Sequence, residues 1–99
     1  MKNISSAHNP LVKKLNLLIS KSRVRKKEKR FVVSGERELS RAIEMGYKID
    51  YLFLREAYDG EAFYQYSENI YEFSTTLFDR ISIRSGTEKV IAVLQAKNH

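Results

Sequence analysis

The apolar positions of this chain fall into short runs separated by polar ones. Leu11, Leu15 and Leu18 recur at the i, i+4, i+7 spacing of a helix, with Val12 and Ile19 beside them. Asn9 is a favoured N-cap, and Pro10 then takes the first helical position, where its missing N–H is no loss. The spacing predicts a helix over about 10–21. Phe31-Val32-Val33 reads as a short buried strand and Ser34-Gly35 as a turn. Glu36 to Met45 reads as a helix with Leu39, Ala42 and Ile43 inward, stopped by Gly46. Ile49 to Leu54 is a second strand. Ala57 to Ser67 is expected to be a helix bearing Ala62, Phe63 and Tyr66. Ile70 to Phe73 is a third strand. Ser74 or Thr75 then caps a short helix with Leu77, Phe78 and Ile81. Residues 84–87 read as a loop, and Val90 to Leu94 as a final apolar strand.

The order is therefore α-β-α-β-α-β-α-β. It predicts an α/β fold: a three-layer α/β/α sandwich whose small four-stranded sheet is mostly parallel or mixed. The chain has 99 residues, enough for one domain, and 42% are apolar, enough for a core without covalent staples. The absence of cysteine excludes disulfides, thiolate nucleophiles and cysteine zinc sites, and fits a reducing cytoplasm. The opening MKNISSAHNP has no apolar h-region, and no apolar run approaches the ~20 residues that span a bilayer. No membrane partner is expected.

Charge changes the picture. The net charge is +6, but residues 1–30 carry ten Lys/Arg against the single acid Glu28, while residues 31–99 carry eight against eleven acids. The whole excess lies in the first third, and KSRVRKKEKR (21–30) is its densest part. Such asymmetry points to a polyanion. Lysine and arginine gain affinity for nucleic acid by releasing counterions from phosphates, and Arg23, Arg25 and Arg30 are able to fork onto phosphate oxygens. Lys13 and Lys14, on the polar side of the first helix, extend the patch. Only Val24 is available to anchor residues 21–30, so the segment is expected to be mobile without RNA. Membrane binding would want large exposed apolar residues beside the charges, and these are missing.

Catalytic chemistry is not visible. Gly35, Gly46, Gly60 and Gly86 are too far apart for a phosphate-cradling loop or dinucleotide fingerprint. His8 and His99 lie near opposite ends. No nucleophile–base pair, metal-ligand spacing or cofactor loop is present, so no catalytic, metal or cofactor-binding residue is expected in this chain. Tyr58, Tyr64, Tyr66 and Tyr71 sit in the acidic part at core spacing and read as core or partner contacts rather than base-stacking platforms.

Three motifs, in order, carry a family resemblance. Ile4-Ser5-Ser6-Ala7-His8-Asn9-Pro10-Leu11-Val12-Lys13 follows IxSxxNPxVK. FVVSGEREL (31–39) is close to FxVEGxRxV. RSGTEKVIAV (84–93) is close to R-x-GTEGVxAV. Over about residues 3–95 the chain resembles the N-terminal substrate-binding domain of SpoU/TrmH-type RNA 2′-O-ribose methyltransferases. The resemblance implies a fold similar to kink-turn-binding ribosomal proteins and an rRNA or tRNA partner. It also implies a knotted methyltransferase domain, absent from residues 1–99, that would hold S-adenosylmethionine and the catalytic arginine and would dimerise. Asn9, Lys13, Arg30, Glu36, Arg37, Arg84, Thr87 and Glu88 match motif positions. Of these, Lys13, Arg30, Arg37 and Arg84 are expected to touch RNA, Asn9 to cap the first helix, and Glu36 and Glu88 to order loops or pair with arginines. Together with the basic run, the candidate RNA-binding set is Lys13, Lys14, Arg23, Arg25, Lys26, Lys27, Lys29, Arg30, Arg37 and Arg84. Ser34 stands where the family often has Glu, and Lys89 where it often has Gly. Two other readings stay open at this point: a stand-alone RNA-binding protein of the kink-turn type, and a protein-interaction or dimerisation module using the aromatic, acidic part.

Overall fold

The computed structural model describes residues 1–81 and 88–97. Strand β1 (Lys2–Ile4) leads to helices α1 (Pro10–Ser20) and α2 (Ser22–Glu28). Strand β2 (Arg30–Ser34), helix α3 (Glu36–Glu44) and strand β3 (Ile49–Arg55) follow. A 3₁₀ helix (Glu61–Tyr66), β4 (Ile70–Phe73), α4 (Thr75–Ile81) and β5 (Val90–Gln95) complete the order.

The five strands form one mixed sheet in the order β1-β4-β3-β5-β2. β1 and β3 run parallel to β4, whereas β5 is antiparallel to both β3 and β2. The three-layer α/β/α architecture is as expected. The fifth strand, β1, is an addition. Three residues, of which only Ile4 is buried, are too few to show an alternation.

The two faces of the sheet have separate cores. One is built from Val12, Leu15 and Leu18 of α1, from Leu77, Phe78 and Ile81 of α4, and from Phe53, Phe73, Ile91 and Val93 of the strands. The other joins Leu39 and Ala42 of α3 to Leu52, Leu54, Phe63, Val90, Ala92 and Leu94. β5 is thus buried on both faces, which is why it reads as a continuous apolar run.

The local signals at α1 and α3 act as anticipated. The Asn9 side chain accepts from the Leu11 N–H at 2.9 Å, with Pro10 at the first turn. α3 ends in a Schellman arrangement. Gly46, at φ +85°, donates to the Ile43 carbonyl at 3.0 Å, and the Tyr47 N–H donates to the Ala42 carbonyl at 3.1 Å. Ser74 caps α4 through its Oγ, which accepts from the Leu77 N–H at 3.2 Å.

The predicted helix over Ala57–Ser67 is only the 3₁₀ helix Glu61–Tyr66. Ala57 takes a left-handed φ of +69°, which breaks the first turn. The Cβ that any other residue would add at Gly60 would lie 2.8 Å from Leu54 Cδ2, so the chain dips close to the core there before turning. Of the three side chains assigned to this element, Phe63 alone is buried.

Tyr58 packs at the rim of the second core. Burial pushes its hydroxyl up to about 12 from 10.0, and its hydrogen bond to the Glu36 carboxylate adds to the shift. Because the folded value is raised, this contribution to stability is intact below pH 10 and is lost as pH climbs through about 12. A spectrophotometric phenolate titration should therefore show one tyrosine ionising late, and Tyr58→Phe should remove that step. An absorbance step near pH 12 that persists in the Tyr58→Phe variant would contradict this.

Candidate nucleic-acid interface

The basic run is a built element. Lys21, in extended conformation at φ −120°, serves both as C-cap of α1 and as N-cap of α2. Arg25 turns back from α2, and its Nη1 donates to the Leu18 and Ile19 carbonyls at 2.7 and 2.9 Å. A guanidinium placed on the last carbonyls of α1 satisfies acceptors the helix leaves unpaired and opposes the negative end of its dipole. Val24 packs on the first core. Besides Val24, the only anchor visible in the sequence, the Arg25 cap ties the run to α1, and seven of its ten residues are helical. Lys29, at φ 55°, closes α2, and its carbonyl accepts from the Ala96 N–H at 2.9 Å.

With Val24 and Arg25 turned inward, Arg23, Lys26 and Lys27 share the outward face of α2 at i, i+3, i+4. All three are exposed, as is Lys29. None of the four side chains has an ion pair or hydrogen bond among the described residues. Lys13 and Lys14, also exposed, stand on α1 about 10 Å along the helix axis from Lys21. Like charges at this spacing oppose the helix by a few tenths of a kcal/mol per pair, and a bound polyanion removes that repulsion.

Arg30 differs from its neighbours. Its Nε donates to the Asp50 carboxylate, and its Nη1 donates to the Glu28 and Lys29 carbonyls at 3.2 and 3.1 Å. Gln95 Nε2 donates to the other Asp50 oxygen at 2.7 Å. This network ties the start of β2 to β3 and β5. Arg25 and Arg30 therefore spend their guanidinium groups on the protein's own carbonyls and carboxylate.

The remaining candidates lie elsewhere. β2 carries the chain from Arg30 to Ser34, about 13 Å along the sheet. Arg37 follows at the far end and is exposed. It shares a cleft of about 370 Å³ with Ser34, Gly35, Glu36, Glu38, Glu88 and Lys89. Three carboxylates against two cations make that cleft acidic among the described residues. Gly35, at φ +98°, brings the chain within 3.3 Å of Glu88 Cγ, measured from the Cβ another residue would carry. Arg84 and Thr87 lie outside the described residues. The structure thus gathers Arg23, Lys26, Lys27 and Lys29, with Arg25 and Arg30 beneath them, and places Arg37 at the opposite end of the sheet.

The two departures from the family motifs have distinct outcomes. The Ser34 hydroxyl is buried with no hydrogen-bond partner among the described residues, where a longer carboxylate would extend into the cleft. Lys89 keeps a negative φ, and its carbonyl accepts from the Arg55 N–H at 2.9 Å, so glycine is not needed there.

Sequence reasoning missed one feature. Tyr64 and Tyr66 are 37% and 43% exposed and line a cleft of about 420 Å³ at the α2 end of the sheet, so they are not core. The signal was the polar run between and after them, Gln65 and Ser67-Glu68-Asn69, which leaves Phe63 as the one large apolar anchor of the segment. Among the described residues no group of three metal-ligating side chains exists, and no helix is long and apolar enough to cross a membrane.

A family model described as the MRM3-like substrate binding domain matches residues 9–92. Several solved structures share the fold. An RNA 2′-O ribose methyltransferase is 24% identical with a TM-score of 0.84 over 97% of this chain and 38% of that one. An rRNA methyltransferase from Sinorhizobium meliloti is 20% identical with a TM-score of 0.78, over 99% and 38% respectively. The SpoU methyltransferase AviRb from Streptomyces viridochromogenes, in complex with AdoMet, is 17% identical with a TM-score of 0.71, over 90% and 34%. The chain spans little more than a third of the length of these structures. No curated protein matches it.

Proposed function

The chain belongs to the MRM3-like substrate binding domain family, and from that premise we propose that it recognises structured rRNA or tRNA for an S-adenosylmethionine-dependent 2′-O-methyltransferase acting in the cytoplasm. The catalytic groups, the cofactor and the dimer contacts belong in this reading to a methyltransferase domain beyond these residues. The observation that carries the reading is the outward face of α2, where Arg23, Lys26 and Lys27 project, with Lys29 exposed at its C-cap, none of the four with an intramolecular partner among the described residues. A surface with unpaired cations at one-turn spacing suits the phosphates of a nucleic acid backbone. Lys13 and Lys14 widen the same contact, Arg25 and Arg30 hold its shape, and Arg37 and Arg84 would meet a more distant part of the RNA.

The test is binding of this chain to a structured RNA hairpin by fluorescence anisotropy across a salt series. If about four phosphates are neutralised, log affinity falls against log salt with a slope near −3 to −4. That amounts to a loss of roughly a hundredfold between 50 and 200 mM salt. No binding at low salt, or binding indifferent to salt, would sink the proposal.

A further inference from the structure

The cleft beside the basic corner has a chemistry that phosphate binding does not use. It is lined by Lys48, Asp50, Tyr64, Gln65, Tyr66 and Glu68, among others, at the end of the sheet where β2 begins and β5 finishes. Its volume, about 420 Å³, falls in the range of small-molecule sites. Of the five large apolar side chains exposed among the described residues, two, Tyr64 and Tyr66, line it. Asp50 is spent on Arg30 and Gln95, and Asn69 Nδ2 donates to the Asp50 carbonyl at 2.9 Å, so that wall is fixed. The side chains of Lys48, Gln65 and Glu68 make no hydrogen bond or ion pair among the described residues.

We propose that this cleft takes one unpaired nucleobase of the RNA that the basic corner holds. The inference rests on the function proposed above and deepens it. Two exposed tyrosine rings at the cleft offer a stacking platform, which every base is able to use. Uncommitted donors and acceptors on Lys48, Gln65 and Glu68 match a base edge, which presents both. An anion is disfavoured. The Arg30–Asp50 pair is internally neutral, and the Lys48 charge is offset by Glu68. Position supports the same occupant. Gln95, which lines the cleft, pairs across the sheet with Arg30, and the Ala96 N–H donates to the Lys29 carbonyl at 2.9 Å. A strand lying on the outward face of α2 therefore meets the cleft as it leaves Lys29. Because a base in a duplex is stacked on its neighbours, the cleft selects single-stranded or extruded nucleotides.

The experiment compares a fully paired RNA hairpin with the same hairpin carrying a single-stranded tail with 2-aminopurine, using this 99-residue chain. The tailed RNA should bind roughly tenfold tighter or better, and 2-aminopurine fluorescence should change on binding. The double variant Tyr64→Ala/Tyr66→Ala should lose that preference while binding the paired hairpin as before. Tyr64→Phe/Tyr66→Phe, which keeps both rings, should retain it. Both tyrosines are exposed, so the alanine variant leaves the core intact, and circular dichroism checks this. Equal binding of the two RNAs by the parent chain, or an alanine variant that keeps the preference or loses both RNAs alike, would overturn the pocket while leaving the function above in place. If the parent binds neither RNA at low salt, both readings fall together.

Discussion

Reversing charge at Arg23, Lys26 and Lys27 to glutamate is expected to lower RNA affinity at least a hundredfold at low salt, with a matching loss of salt dependence. These are the three exposed cations on the outward face of α2. Each phosphate contact removed takes about one unit from the salt slope, and a carboxylate in its place adds repulsion. The choice of three matters. Including Arg25 would withdraw the guanidinium that caps α1 through the Leu18 and Ile19 carbonyls, so a loss of binding could then reflect loss of shape. In the triple variant the cap survives; the helix dipole favours glutamate at position 23, in the first turn of α2, and opposes it at 26 and 27, in the last, so the terms partly cancel. Far-ultraviolet circular dichroism should be unchanged while affinity collapses. Retained affinity would remove α2 from the interface.

Phe53→Ala should have the largest effect on stability, about 3–5 kcal/mol in urea unfolding. The ring is 1% exposed. Its centroid lies 4.7 Å from Phe73, 5.8 Å from Tyr71 and 6.1 Å from Tyr51, so its removal opens a void that three other aromatic rings border. Domains of this size have roughly 5–15 kcal/mol in total, so the variant should sit near or beyond the edge of folding at room temperature. A cost below about 1 kcal/mol would mean that the first core does not depend on this ring for packing.

The elements most legible in the sequence were those with a complete local signal. α1 has a leucine stripe, a capping asparagine and a proline at its first turn, and the structure uses all three. α3 has its apolar face and Gly46. The errors came where the deciding contact is distant in sequence. Residues 21–30 carry no helical stripe, yet Arg25 reaches back to α1 and Val24 to the core, contacts that spacing along a charged run does not reveal. Ala57–Ser67 has helical composition, but the left-handed turn at Ala57 and the approach of Gly60 to Leu54 are set by the sheet. The direction of β5 was open for the same reason. Alternating strands and helices suggest parallel pairing, whereas Val90 pairs with Leu54, at the end of β3 opposite to the one a parallel strand would enter. Within the basic run, composition alone did not separate the outward Arg23, Lys26 and Lys27 from Arg25 and Arg30, which are turned to internal partners. For Tyr64 and Tyr66 the sequence leaves core and partner contact both open, and the 3₁₀ segment, in place of an α-helix, turns them out of the core.

The place of β5 in the sheet has a consequence for biosynthesis. β2 is joined to the other strands only through β5, which lies between it and β3. As the chain leaves the ribosome, α1, α2 and β2 emerge well before β5, and β2 must wait for residues 90–95 before it has a partner strand. At roughly 5–20 residues per second this interval lasts for seconds. During it, a strongly cationic segment is held close to a surface made of RNA. Nascent chains of this domain should therefore be protease-sensitive through β2 until β5 is released, and should become resistant in one step when it is.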